Sequence, residues 1–361
     1  MMPPDVMARA SVSFSSLGFV PSATAVPPGD AAAAAAAPTP SSFSSKGRLA
    51  LRSALEQFGF AVVTDVVPED VLRHWESLWA ADLMSIVDKT ASDPAAVATL
   101  SQDPIARWPL DQLSLGYKFA SHYGLPQGRL AWAVRRSAEV KHVFANLFDT
   151  SDLCVSTDNI FFNNRPLASA KDAERTSDLW PHADQNLHKE PSGNWDVYQG
   201  VMYLWPANVD SSATVIWPGS NRDTYFELMR SKAQWARKGH FCMLPKAQHD
   251  VFARAAARVP VPRGGLLLWS SRTIHQGWPH GARLAVPVCF EPKSRRDTAA
   301  LKRKKECVLH GVPTSHWASL GLCHSLHGSA GLQGQVDGIA LASTAHLHFG
   351  SRLPDDVFEL L

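Results

Sequence analysis

The chain lacks the marks of several common protein classes. It has five cysteines in 361 residues, an odd number scattered at 154, 242, 289, 307 and 323. That is too sparse for a disulfide framework, so thiols in a reducing compartment are expected. Neither charge sign dominates: 35 Lys and Arg against 33 Asp and Glu leave a formal net charge of +2. No global attraction to nucleic acid or to an anionic membrane follows. The longest uncharged apolar runs, such as Gly264 to Ser271, fall far short of the roughly 20 residues a membrane span needs. Internal repeats are absent as well. What remains is 45% hydrophobic and 19% charged, the composition of a globular chain long enough for one large domain or two ordinary ones.

Residues 1–46 hold 11 Ala, 7 Pro and 9 Ser, with Asp5 and Asp30 as the only acids, and show no apolar period. This reads as a disordered low-complexity leader. It is compatible with an organelle transit peptide but lacks the compact apolar block of a secretory signal, so a cytoplasmic or organellar location is expected rather than secretion. From Gly47, Leu49, Leu51, Leu55 and Phe58 recur at helical spacing, Gly59 stops the run, and Phe60 to Thr64 reads as a strand. Helix dominates to about residue 150. From Val155 the texture becomes short strand-like runs: Asn159 to Phe162, Tyr198 to Trp205, Ala213 to Trp217, Gly265 to Trp269 and Arg283 to Phe290. A helical insert near Asp223 to Ala236 and a basic helical stretch, Arg295 to Val308, accompany them. The expectation is a mainly β fold with flanking helices over 47–320, followed by a C-terminal extension over 321–361.

The segment Trp180-Pro-His182-Ala-Asp184-Gln carries the first chemical signal. On an extended strand, residues two apart share a face, so His182 and Asp184 can point at one object while Ala183 turns away. Alone, a His-x-Asp is weak, since fifteen histidines make a chance match expected. A second histidine raises its value: Gly264 to Trp269 reads as a buried strand, and His275 follows before Pro279 and Gly281 break the chain. Two imidazoles and one carboxylate on one face of an octahedral Fe(II) leave adjacent positions open for a chelating co-substrate and oxygen. Arg283 begins the next strand, where a hairpin could return its guanidinium to the metal to take a carboxylate in a bidentate fork.

Four segments in order then resemble the phytanoyl-CoA dioxygenase family: Trp-Pro-His182-Ala-Asp184-Gln, Val215-Ile-Trp-Pro-Gly-Ser-Asn221, Leu268-Trp-Ser-Ser-Arg-Thr-Ile-His275-Gln-Gly, and Arg283-Leu-Ala-Val-Pro-Val. The likeness covers roughly residues 50–320. It implies a double-stranded β-helix, the jelly-roll or cupin-like barrel, and an Fe(II)- and 2-oxoglutarate-dependent hydroxylase acting on a small or medium-sized organic substrate with O2, releasing succinate and CO2, with ascorbate as an accompanying reductant. It makes His182, Asp184 and His275 the iron ligands and Arg283 the partner of the co-substrate's distal carboxylate, with Thr273 and Thr214 as secondary co-substrate contacts. Related halogenases have a small residue at the place of Asp184, so a carboxylate there implies hydroxylation. The sequence departs from the family pattern at Asn221, where histidine is common, and at Gly277, where several members have serine.

Other signals compete. A non-catalytic jelly-roll binding module would keep the barrel without turnover, and a cupin-like metalloenzyme would need no 2-oxoglutarate, a reading that Arg283 argues against. Cys307-x-x-His310 and Cys323-x-x-x-His327 have spacings zinc could use. Lys302 to Lys305, with Arg295 and Arg296, reads as a solvated helix face before it reads as a nucleic-acid patch. The polar, glycine-broken segment Asn186 to Trp195 is a candidate lid.

Overall fold

The structure, a computed structural model, describes residues 1–19, 45–90, 94–108, 124–167, 179–231, 239–322 and 353–361. Its helices are α1 (Pro4–Ala10), α2 (Ser45–Phe58), α3 (Glu69–Thr90), α4 (Pro94–Gln102), α5 (Arg129–Arg136), α6 (Ala138–Phe148), α7 (Asp223–Ser231), α8 (His249–Ala255), α9 (Thr298–Leu309) and α10 (Asp355–Leu360). The strands are β1 (Ser11–Ser13), β2 (Phe60–Thr64), β3 (Leu153–Val155), β4 (Phe161–Asn163), β5 (His182–Ala183), β6 (Tyr198–Tyr203), β7 (Ala213–Ile216), β8 (Cys242–Met243), β9 (Ala257–Arg258), β10 (Leu266–Ser270), β11 (His275–Trp278), β12 (Arg283–Pro287) and β13 (Phe290–Pro292). The fold is thus mixed helix and sheet, with more than one sheet. No helix among the described residues is long and apolar enough to cross a membrane.

Two compact units divide the chain, one from Met1–Ser16, Ser45–Val66 and Arg165–Arg283, the other from Leu17–Ser44, Val67–Asn164 and Leu284–Leu361. The boundaries 47 and 320 expected from the sequence coincide with the limits of neither unit; a chain of this size can split its apolar residues between two cores.

In the first unit, α2 buries Leu51, Ala54, Leu55 and Phe58, a stripe at helical spacing, and stops where Gly59 takes φ +78°. Four neighbouring strands run in the order β1-β2-β10-β6, and a five-stranded sheet has the order β8-β5-β11-β7-β9. Residues 1–19 are not a disordered leader. Met2, Ala10, Val12, Phe14 and Leu17 are buried, the Met2 amide donates to the Arg258 carbonyl at 2.8 Å, and β1 pairs in parallel with β2 through Val12 and Val63. Alanine and serine dilute the composition, but a few apolar side chains and an open sheet edge suffice to order the segment. The remainder of the expected leader, 20–44, lies outside the described residues.

In the second unit, Asp82 of α3 caps α5, accepting from the Arg129 amide at 3.0 Å, the Leu130 amide at 3.0 Å and the Arg129 guanidinium at 3.1 Å. Strand β13 pairs antiparallel with β3, Phe290 opposite Val155. The expected C-terminal extension belongs to this unit: Leu361 is fully buried and its carbonyl accepts from the Lys304 ammonium, while Asp356 pairs with Arg136 at 2.7 Å. Part of the basic stretch is taken up in packing, while Lys302 and Arg303 are exposed. Lys304 is buried, Arg303 donates to the Leu320 carbonyl at 2.8 Å and Lys305 lies 4.1 Å over the Phe358 ring.

Candidate metal centre

The first unit brings together the residues the sequence singles out. Strand β5 contributes His182, and Asp184 follows one residue past its end, its amide donating to the Ser271 carbonyl at 2.9 Å. His275 opens β11, the antiparallel partner of β5, and is the Cα partner of His182. One ligand atom from each of His182, Asp184 and His275 lies within 4.8 Å of the others, the only such cluster among the described residues. Asp184 Oδ2 is 3.3 Å from His275 Nε2 and 3.6 Å from His182 Nε2.

The tautomers are set from behind. His182 Nδ1 donates to the Trp180 carbonyl at 3.1 Å, and His275 Nδ1 to the Thr273 carbonyl at 2.9 Å. In the neutral ring this places the proton on the outer nitrogen and leaves the Nε2 that faces Asp184 to ligate a metal. Burial, followed by the nearby His182, pushes the His275 pKa down, against the upward pull of the carboxylate beside it. Both histidines are 5% exposed.

Aromatic walls enclose the rings. Trp180 stacks on His182 at 4.6 Å and 16°, Phe241 tilts against the same ring at 4.7 Å, and Trp269 lies 5.1 Å from His275. Trp180 and Phe241 are 43% and 45% exposed.

The Pro-Gly-Ser-Asn turn buttresses His275. The Ser220 hydroxyl donates to the Trp217 carbonyl at 2.7 Å and accepts from the Ile274 amide at 2.8 Å, fixing the residue before the histidine. Asn221, at the place where histidine is common, donates to the Leu55 and Glu56 carbonyls at 3.2 and 3.3 Å and so closes the C-terminus of α2. That departure is accounted for by scaffolding.

Arg283 opens β12 as expected and is 7% exposed. Its Nη2 donates to the Tyr203 hydroxyl at 2.8 Å and to Thr214 Oγ1 at 3.4 Å, with the guanidinium 5.0 Å from the Tyr203 ring centre. Burial lowers its pKa from the usual arginine value. Thr214 is the Cα partner of Gly277, two residues along β11 from His275, so the guanidinium reaches across to the sheet that carries the two histidines. The Thr273 hydroxyl donates to the Gly59 carbonyl at 2.8 Å, which makes it a brace between the approach to β11 and the turn after α2.

Gln199 and Tyr203 escaped the sequence reading. Gln199 Nε2 donates to Asp184 Oδ2 at 2.8 Å. Both residues lie on β6 four positions apart, hence on one face. A glutamine directly before the apolar run Gly200 to Leu204 was the available signal. The candidate lid, Asn186 to Trp195, is tied down: Gln185 Nε2 donates to the carbonyls of Ser192, Gly193 and Trp195 at 3.0, 3.1 and 2.7 Å. Of the possible zinc ligands, Cys307 is buried while His310 is exposed, and Cys323 and His327 lie outside the described residues.

The family model of phytanoyl-CoA dioxygenase matches residues 55–282. A curated relative, Ava biosynthesis cluster protein O of Aspergillus versicolor, is 25% identical over 227 residues, covering 58% of this chain and 70% of that protein. Among solved structures, a proposed oxidoreductase from Salmonella typhimurium shares the fold at a TM-score of 0.50 and 12% identity, over 91% of this chain and 85% of that one. EctD from S. alaskensis, solved with 2-oxoglutarate and 5-hydroxyectoine, aligns at 0.36 and 14% identity over 68% and 76%.

Proposed function

The chain belongs to the phytanoyl-CoA dioxygenase family, and on that premise we propose that it is an Fe(II)- and 2-oxoglutarate-dependent dioxygenase that hydroxylates a small or medium-sized organic substrate. The observation that carries this reading is the convergence of two bare imidazole nitrogens and one carboxylate oxygen, each ring oriented by a backbone carbonyl. This donor set fits the metal: two neutral nitrogens and one anionic oxygen suit a divalent ion of intermediate softness with positions left open. Fe(II) held there would supply the activation of O2 that couples decarboxylation of 2-oxoglutarate, to succinate and CO2, with insertion of an oxygen atom into a C–H bond.

The protein's own groups do the rest. Arg283 offers a desolvated guanidinium for the far carboxylate of the diacid, and the Tyr203 and Thr214 hydroxyls orient it. Gln199 and Tyr203 stand roughly 13 Å apart along one face of β6 by strand rise, Gln199 touching Asp184 and Tyr203 touching Arg283. That leaves a span suited to a five-carbon diacid between triad and guanidinium. Asp184 takes up the position a halide would need, which favours hydroxylation. The buried Trp269 ring, 5.1 Å from His275, shields that side of the triad from water. The two sheets of the first unit would then be the faces of a double-stranded β-helix.

The test is succinate formation from 2-oxoglutarate by purified protein given Fe(II), ascorbate and O2, with His182→Ala as the control that abolishes it. Absence of both succinate and stoichiometric iron would overturn the proposal in favour of a binding module.

A further inference from the structure

Asp184 lies past the end of the two-residue β5, in a bend, outside the strand ladder that pairs His182 with His275. A carboxylate can exchange its two oxygens by rotation about a soft terminal torsion. A side chain from another strand restricts that rotation. Gln199 of β6 is 6% exposed, and its carboxamide donates at 2.8 Å to Oδ2, the same oxygen that faces both Nε2 atoms. Gln199 is also the Cα partner of Trp269 on β10, and that ring packs 5.1 Å from His275. Directly opposed residues project to one face of a sheet, so this cross-strand pair backs the triad at two of its three members.

From this geometry we infer that Gln199 is a positioning residue: its carboxamide selects and holds the oxygen that Asp184 presents to a divalent metal. The inference rests on the metal-centre reading of the triad and deepens it. The choice of amide over acid follows from the chemistry. A carboxylate partner must be a donor, and a glutamate at 199 would set two anions against each other.

The experiment is titration of the metal-free full-length protein with Co(II), followed by visible absorption, alongside thermal unfolding before metal is added. The proteins compared are wild type, Q199M and Q199E. Wild type is expected to bind one Co(II). Both variants are expected to bind it about 10–100-fold more weakly, the usual effect of losing an outer-shell partner, with altered d–d bands and an unfolding midpoint close to wild type. Q199E keeps the shape of the side chain, so it decides the matter if Q199M does not fold. Wild-type affinity and spectrum in a folded variant would overturn the inference while leaving the metal centre standing. Loss of cooperative unfolding in both variants would make Gln199 a packing residue and overturn it too. Failure of wild type to bind Co(II) would remove the metal-centre reading, and this inference with it.

Discussion

His182 and His275, far apart in the chain, are direct partners across β5 and β11, with ring centres 4.4 Å apart. The antiparallel register therefore does what neither loop could: it fixes two ligands at the spacing of one ion. Removing either ring leaves two donors, too few to hold a divalent metal in competition with water. For His275→Ala, loss of iron affinity is expected to exceed the 10–100-fold typical of outer-shell changes. Iron content after gel filtration and succinate yield should fall together; retained iron with lost turnover would point to a role other than ligation.

Arg283 should separate co-substrate binding from metal binding. Truncating a buried guanidinium that forks onto a carboxylate costs about 2–5 kcal/mol, so Arg283→Ala should raise the apparent KM for 2-oxoglutarate by about 30-fold or more. Tyr203→Phe removes only the hydroxyl it donates to, worth about 0.5–1.5 kcal/mol, and a rise of a few-fold is expected. Co(II) affinity should be unchanged in both. Equal losses of metal and co-substrate affinity would indicate a damaged fold.

Much of this site was legible before any coordinates. The strand Phe60–Thr64 and the stripe of α2 are local patterns that tertiary structure merely accepts, and the His-x-Asp and distal His announce themselves by residue type. Strand β5 is two residues long, too short for any alternation to reveal, so the pairing of His182 with His275 needed the fold. Gln199 and Tyr203 are ordinary strand residues until Asp184 and Arg283 stand beside them. The Thr273 hydroxyl answers to Gly59, which only the three-dimensional turn brings near. Met2 and Val12 are too thinly spread among alanine and serine to signal a strand.

That same turn yields a prediction away from the metal. A Cβ at Gly59 would lie 2.5 Å from Thr273 Oγ1 and 2.8 Å from Asn221 Oδ1, on a backbone held at φ +78°. Gly59→Ala combines a left-handed conformation with two clashes and should cost about 2–4 kcal/mol of stability. Because the Thr273 carbonyl holds His275 Nδ1, Co(II) affinity should fall as well. Asn221→Ala is the contrast: it loses two long bonds to the end of α2, about 1 kcal/mol, and should leave the metal untouched. Equal Co(II) affinity in the two variants would break the proposed connection between this turn and His275.

Asp82 makes stability depend on pH in the second unit. Burial raises its pKa from the usual 3.8 to about 6, against the pull of the Leu130 and Arg129 amides and the Arg129 guanidinium. The fold thus holds the proton more tightly than the unfolded chain does. As pH rises, the unfolded chain releases that proton near 3.8 while the folded one keeps it until about 6, so stability falls across this window and is level above it. The full drop is about 3 kcal/mol, at 1.36 kcal/mol per pH unit. Urea unfolding of wild type and Asp82→Asn between pH 4 and 7 isolates this group, since every other titration cancels in the difference. Wild-type stability minus variant stability should shrink with rising pH. A difference that instead widens would mean that the helix cap and ion pair outweigh desolvation at this carboxylate.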